Sequence, residues 1–275
     1  MHELSAIRSV AGESVLLAGG GAAILLQLAD PRVARGVAEH SDFAARPFDR
    51  LIGTLDYIYA VVFAEEAEAR AAVRLVNRAH APVRGEGGEG GERPAYSAFD
   101  PDAQLWVAAT LYRTAVHLDG LLFGERSTAF AERLYADYAV LGTRLQMPAA
   151  AWPPTRAAFA DYWAGRIAEL EGSIGDEARS TAHALLFPAA LPRPLRPVLP
   201  LVRLVTAWLL PPGIRAAYGI RWTPRAERVF RAWIAAARVL FPLLPAALRH
   251  APRDAALRRL RRRLQYAGVD RRGRP

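Results

Sequence analysis

Helix start signals recur along this chain in a form that leaves little room for sheet. Asp30-Pro31, Asp100-Pro101 and Thr223-Pro224 each set an oxygen-bearing side chain directly before a proline. That side chain can accept from the open amides of a first turn. Proline is tolerated next to it because its missing N–H had no helical partner there. Between these starts Ala, Leu and Arg dominate and Val/Ile/Thr alternation is scarce, which is the texture of helix rather than strand. The pattern predicts helices over Val15–Ala29, Pro31–Glu39, Pro47–Phe63, Ala67–His80, Pro101–Leu122 and Ser127–Leu145. Further helices are predicted over Thr155–Glu171, Asp176–Leu185, Leu199–Leu209, Pro212–Tyr218, Pro224–Val239 and Ala255–Leu264. The expected fold is all-α, a single compact multi-helix domain.

Two punctuated regions interrupt it. Gly85–Gly91 is a glycine–glutamate loop; it lacks the G-K-[ST] ending of a phosphate cradle, and its glutamates would repel phosphate. Leu185–Gly213 holds seven prolines. The expected organisation is a helical core over residues 1–184, a Pro-rich belt with C-terminal helices over 185–252 completing the same domain, and an Arg-rich tail over 253–275.

Composition removes several chemistries. In 275 residues there is no cysteine, so thiolate metal sites, iron–sulfur clusters and cysteine nucleophiles are excluded. All 36 basic residues are arginine, which excludes Schiff-base chemistry and a Walker lysine. No H-E-x-x-H or G-x-S-x-G pattern occurs. The net charge of +9 is concentrated at the end of the chain, where residues 249–275 hold ten arginines and two aspartates. The body before it is nearly neutral, so nucleic acid is not an expected partner. Ser14–Ala29 is apolar, but 16 uncharged residues interrupted by glycines read as a core helix rather than a membrane span. The expected location is cytoplasmic, with membrane association left open.

Among the six histidines, His80 stands out. It continues the apolar stripe of Val73 and Val76, and Pro82 ends the helix just after it. Either it is a satisfied core residue, or it is an imidazole aimed into an apolar pocket, as a haem iron requires. Arg50 and Thr54 are four apart and share a helix face, followed by apolar Leu55, Ile58, Val61 and Val62. They could hold a propionate or polarise bound oxygen, or Arg50 could simply pair with Asp49 or Asp56. His40 suits a helix C-terminus, and His117 could be a core or a pocket residue.

The order of short motifs is more specific than any one of them. Leu25-Leu26-Gln27-Leu28-Ala29-Asp30-Pro31 is followed by Gly36-Val37-Ala38-Glu39-His40-Ser41-Asp42-Phe43 and Arg50-Leu51-x-x-Thr54. Val76-Asn77-Arg78-Ala79-His80-x-x-Val83-x-Gly85, Tyr96-Ser97-Ala98-x-Asp100-Pro101 and Trp106-Val107-x-Ala109-Thr110-Leu111 come next. Leu-Leu-Pro-Pro-x-x-Arg at 209–215 and Leu-Pro-x-x-x-Arg at 244–249 close the series. Over roughly residues 15–265 the chain resembles the MpaB-like oxygenases, relatives of the rubber oxygenase (latex clearing protein) catalytic domain.

The resemblance implies an all-α fold, a b-type haem, and dioxygen used on an apolar substrate such as a lipid, isoprenoid or polyketide-like chain. It implies His80 as the axial iron ligand, with Arg50 and Thr54 on the distal side contacting the cofactor and the oxygen. Rubber oxygenases carry a lysine three residues after that arginine, able to occupy the sixth iron position. Here Gly53 stands there, which implies an open, water-bound or differently ligated iron. Asp30 and Ala108 stand where the family commonly has histidine. The other functional class is a non-catalytic helical protein that binds a lipid or small molecule, peripheral to a membrane.

In the tail, Leu257, Leu260 and Leu264 recur at helical spacing among Arg258, Arg259, Arg261, Arg262 and Arg263. This basic amphipathic helix can pack its leucines on the body or lay them on an anionic membrane surface.

Overall fold

The three cap–proline pairs open helices where the sequence places them. The computed structural model describes residues 4–40, 47–88, 94–188 and 193–272. Helices α1 (Ser5–Ala11), α2 (Gly20–Leu28), α3 (Pro31–His40), α4 (Pro47–Phe63) and α5 (Glu66–His80) come first. A two-residue antiparallel ladder follows, β1 (Arg84–Gly85) against β2 (Tyr96–Ser97). Next are α6 (Pro101–Phe123), α7 (Thr128–Tyr138), α8 (Val140–Thr143), α9 (Arg156–Glu171) and α10 (Asp176–Leu186). The chain then runs through α11 (Leu199–Leu209), α12 (Pro212–Ala217), α13 (Pro224–Leu240), α14 (Ala246–Arg249) and α15 (Ala251–Arg272). Asp30 Oδ1 accepts from the amide of Arg32 at 2.9 Å, Asp100 from Asp102 at 2.8 Å, and Thr223 from Ala226 at 3.1 Å. The fold is all-α apart from that ladder.

A run of glycines decides how the central helix is seated. The stretch expected as one helix from Val15 is a 3-10 turn over Ser14–Gly19 that passes into α2. A Cβ on Gly19 would lie 2.6 Å from Thr114 Cγ2 on α6, and one on Gly21 would lie 2.3 Å from Thr206 Oγ1 on α11. The missing side chains let α2 approach both neighbours closely enough to bury Leu25, Leu26 and Leu28 completely. Gly21→Ala is therefore expected to destabilise the fold by about 1–3 kcal/mol through overpacking. Urea unfolding at unchanged m-value checks this, and a shift in midpoint of no significance would show that α2 has slack.

The main core runs from α1 to α12 and includes Trp106, whose indole N–H donates to the carbonyl of Leu26 at 2.9 Å. A second cluster joins Ala22, Leu118 and Leu122 to Val205, Leu209, Phe230 and Ile234, so α11 and α13 share apolar surface with α2 and α6.

Two further expectations on helix extent are corrected, and one helix is added. The helix over Ser127–Leu145 breaks at Ala139 into α7 and α8; the carbonyl of Leu141 takes the hydroxyl of Tyr57 at 2.7 Å. The tail helix is longer than Ala255–Leu264 and begins at Ala251, because Pro252 is admissible in a first turn. An unforeseen helix, α1, has its first amides held by Asp137, which accepts from Ala6 and Ile7 at 3.0 and 3.1 Å. The glycine–glutamate loop lies partly outside the described residues.

The end of the chain is a strap. Helix α15 lies across α4 and α5, with Ala256 and Leu260 buried and Leu260 and Leu264 packed with Ala60 and Ala72. Arg259 pairs with Asp56 and Arg261 with Glu68. The tail leucines are thus spent on the body.

Candidate functional site

Helices α4 and α5 are joined by two residues and packed along their length, so they run antiparallel. Counting outward from the connection, Arg50 lies about as far back along α4 as His80 lies forward along α5. The hairpin therefore brings the first turn of α4 and the last turn of α5 to one end. Thr54 sits one turn beyond Arg50 along α4 and is half-buried. The side chain of Arg50 lies outside the described residues.

His80 is half-buried and closes α5, where the helix carbonyl end favours a polar ring. Its ring meets the edge of Phe99 at 6.4 Å. Leu51 and Leu55 on α4, Val76 on α5 and Val83 in the turn after His80 are all half-buried. Gly53 is exposed, and an added Cβ there would meet nothing within 4 Å. The site end thus offers one imidazole, a hydroxyl, an aliphatic lining and open space one helical position before Thr54. Among the described residues no three His, Asp or Glu side chains converge as a metal-binding group; an axial haem ligand needs only one.

Beside this end lies a hydrogen-bonded network to which the sequence reading gave no role. The ladder carries Tyr96 over Gly85, whose missing Cβ makes room for the ring, and a Cβ added to Gly36 would lie 3.3 Å from the ring's other edge. Tyr96 donates to Glu39 Oε2 at 2.5 Å and lies 2.9 Å from Nε2 of His40. Glu39 Oε1 accepts from Arg35 at 2.6 Å, and the Arg35 guanidinium lies over the Tyr96 ring at 4.9 Å. Glu39 is held below the usual carboxylate range by the Tyr96 hydrogen bond and then by Arg35. Burial and the bond to Glu39 raise Tyr96. These contacts clamp the C-terminal end of α3 against the ladder. The sequence signal was the adjacency of Glu39 and His40, and their shared partner lies 57 and 56 residues away.

The remaining singled-out residues fall elsewhere. Asp30 is 1% exposed and takes Arg32 at 2.9 Å and Arg166 at 2.8 Å. Ala108 is buried in the core. His117 packs on Trp208 with ring centres 4.9 Å apart, and burial, aided by Arg113, pushes it down to about 4. It is a neutral imidazole at physiological pH, away from the α4–α5 end.

Residues 7–239 match the sequence profile of the family described as "ER-bound oxygenase mpaB/B'/Rubber oxygenase, catalytic domain". Two uncharacterized proteins, from Mycobacterium bovis and Mycobacterium tuberculosis, are each 35% identical over 228 residues, covering 81% of this chain and 87% of theirs. No solved structure matches it significantly.

Proposed function

The chain belongs to the mpaB/rubber oxygenase catalytic-domain family, and from that premise we propose that it is a haem b-dependent oxygenase acting with dioxygen on an apolar substrate. What supports the reading most is the placement of His80, Thr54 and the start of α4 at one end of a helix hairpin in an oxygenase domain. The donor set fits the group: one imidazole with aliphatic neighbours, in a chain with no cysteine or lysine to compete for iron.

When bound, haem would supply the redox chemistry that lets dioxygen react with carbon. His80 would hold the iron through a ring nitrogen. Arg50 and Thr54, one turn apart, would present hydrogen-bond donors to the bound group, where preorganised donors stabilise developing negative charge more strongly than water does. Leu51, Leu55, Val76 and Val83 would keep water out and give an apolar chain a surface to lie on. Gly53 would add no side chain there.

The first test is an absorption spectrum of protein produced with haem precursor, where an intense Soret band is expected. Arg50→Ala should keep that band and lower oxygen uptake with lipid, isoprenoid or polyketide-like substrates by about 10²–10³-fold. Unchanged uptake would remove Arg50 from the chemistry. A wild type that stays colourless with added hemin would return the protein to the lipid-binding class.

A further inference from the structure

The C-terminal elements present an apolar surface that the rest of the described residues leave uncovered. Val239, Leu240, Leu243, Leu244 and Leu248 are 65%, 60%, 75%, 41% and 59% exposed. Five large aliphatic side chains thus face solvent within ten residues, at the end of α13, the following 3-10 turn and α14. Scattered exposed leucines are ordinary, but a contiguous group marks an interaction surface. The group extends up the outer side of α13 through Ala236, Ala232 and Val229, all exposed at helical spacing.

The turn is firmly seated beneath. Phe241 is buried with its ring 6.1 Å from that of Phe123. Arg249 lies over Phe241 and is bonded to the carboxylate of Glu13, which ties α14 to the start of the Ser14–Gly19 turn. The leucines are held outward by a packed base.

The charge around them has one sign. Residues 178–275 carry 20 arginines against three acidic side chains, whereas residues 1–177 carry 16 against 24. Between Arg179 and Arg253 the only acid is Glu227, already engaged by Arg231 at 2.6 Å and by the indole of Trp222 at 3.0 Å. Arg225, Arg228 and Arg238 on α13 and Arg258 and Arg262 on α15 are exposed. The positive character therefore does not belong to the tail alone; it covers the elements that carry the exposed leucines.

We propose that this face docks on an anionic lipid bilayer, with Leu240, Leu243, Leu244 and Leu248 entering the boundary between headgroups and acyl chains and the arginines of α13 meeting lipid phosphates. An exposed apolar group on elements rich in exposed arginine is the composition an anionic membrane surface receives. A second copy docking through the same face would bring two strongly positive surfaces together. The docking surface is distinct from the leucine stripe of α15, which is packed on α4 and α5. It does not depend on the haem reading.

The test is flotation of the full chain with phosphatidylcholine vesicles, with and without phosphatidylglycerol, at low and high salt. Wild type should float with the anionic vesicles and lose much of that binding in high salt. Leu243→Ser/Leu244→Ser, at exposed positions, should reduce partition by about tenfold or more with an unchanged circular dichroism spectrum and melting temperature. Arg225→Gln/Arg228→Gln should weaken binding and flatten its salt dependence. Three results would overturn the proposal: no flotation of wild type with anionic vesicles, flotation that the leucine pair leaves intact, or a dimer in light scattering that the leucine pair dissociates while lipid is ignored. Repeating the measurement on His80→Ala separates this outcome from the fate of the haem assignment.

Discussion

His80→Ala is expected to give a folded protein that no longer retains haem. His80 is the last residue of α5 and only half-buried, while the side chains that seat the helix, Ala69, Ala71 and Ala72, lie two or more turns earlier. Its loss should therefore cost the fold about 1 kcal/mol or less. Loss of the single nitrogen donor, by contrast, should abolish the Soret band or shift it, and added imidazole should restore part of it by filling the vacated position. A variant whose spectrum is indistinguishable from wild type would place the ligand elsewhere and break the correspondence between this chain and the family motif.

Asp30→Ala should cost ~3–5 kcal/mol of stability, because it strips the shared partner from two arginines. Arg32 contacts Asp30 through its amide, Nε and Nη2 and reaches on to Asp100 at 2.8 Å. Arg166 contacts it from the far side of the core while lying over the Trp106 ring at 5.4 Å. Burial by itself would raise the Asp30 pKa, but the hydrogen bonds and charge of Arg32, with Arg166, outweigh it and hold the group below its ordinary value of 3.8. A lowered folded-state pKa gives stability that is present in full above the unfolded value. That stability is lost as pH falls through the folded one. Wild type should consequently weaken on acidification below about pH 4, and the stability of Asp30→Ala should change less over that window. Equal acid sensitivity of the two proteins would mean that Asp30 is not the group being protonated.

The cap–proline pairs were legible because both signals are local: a side chain bonds two or three residues ahead of itself, and proline acts on its own φ. The break at Ala139 was not legible, since neither proline nor glycine marks it; the hold of Tyr57 on the Leu141 carbonyl in α8 spans 84 residues and was equally hidden. A ladder of two residues is too short to show a period. At the candidate site, the motif order singled out His80, Arg50 and Thr54, and the two-residue connection between α4 and α5 brings the ends of the helices that carry them together. Tyr96 was visible as a motif residue, but its place between Glu39 and His40 depends on the approach of Gly36 and Gly85. The positive C-terminal surface was hidden by arithmetic. Comparing the last 27 residues with all the rest averages the acids of the first half against the arginines from 178 onward.

The strap across the α4–α5 hairpin has a consequence for the time at which the protein is made. Some 170 residues separate His80 from the first turn of α15. At a synthesis rate of about 5–20 residues per second, the hairpin spends roughly 10–35 s on the ribosome with Ala60, Ala72, Asp56 and Glu68 uncovered. The two helices that carry the candidate site are thus among the first to emerge and among the last to be covered.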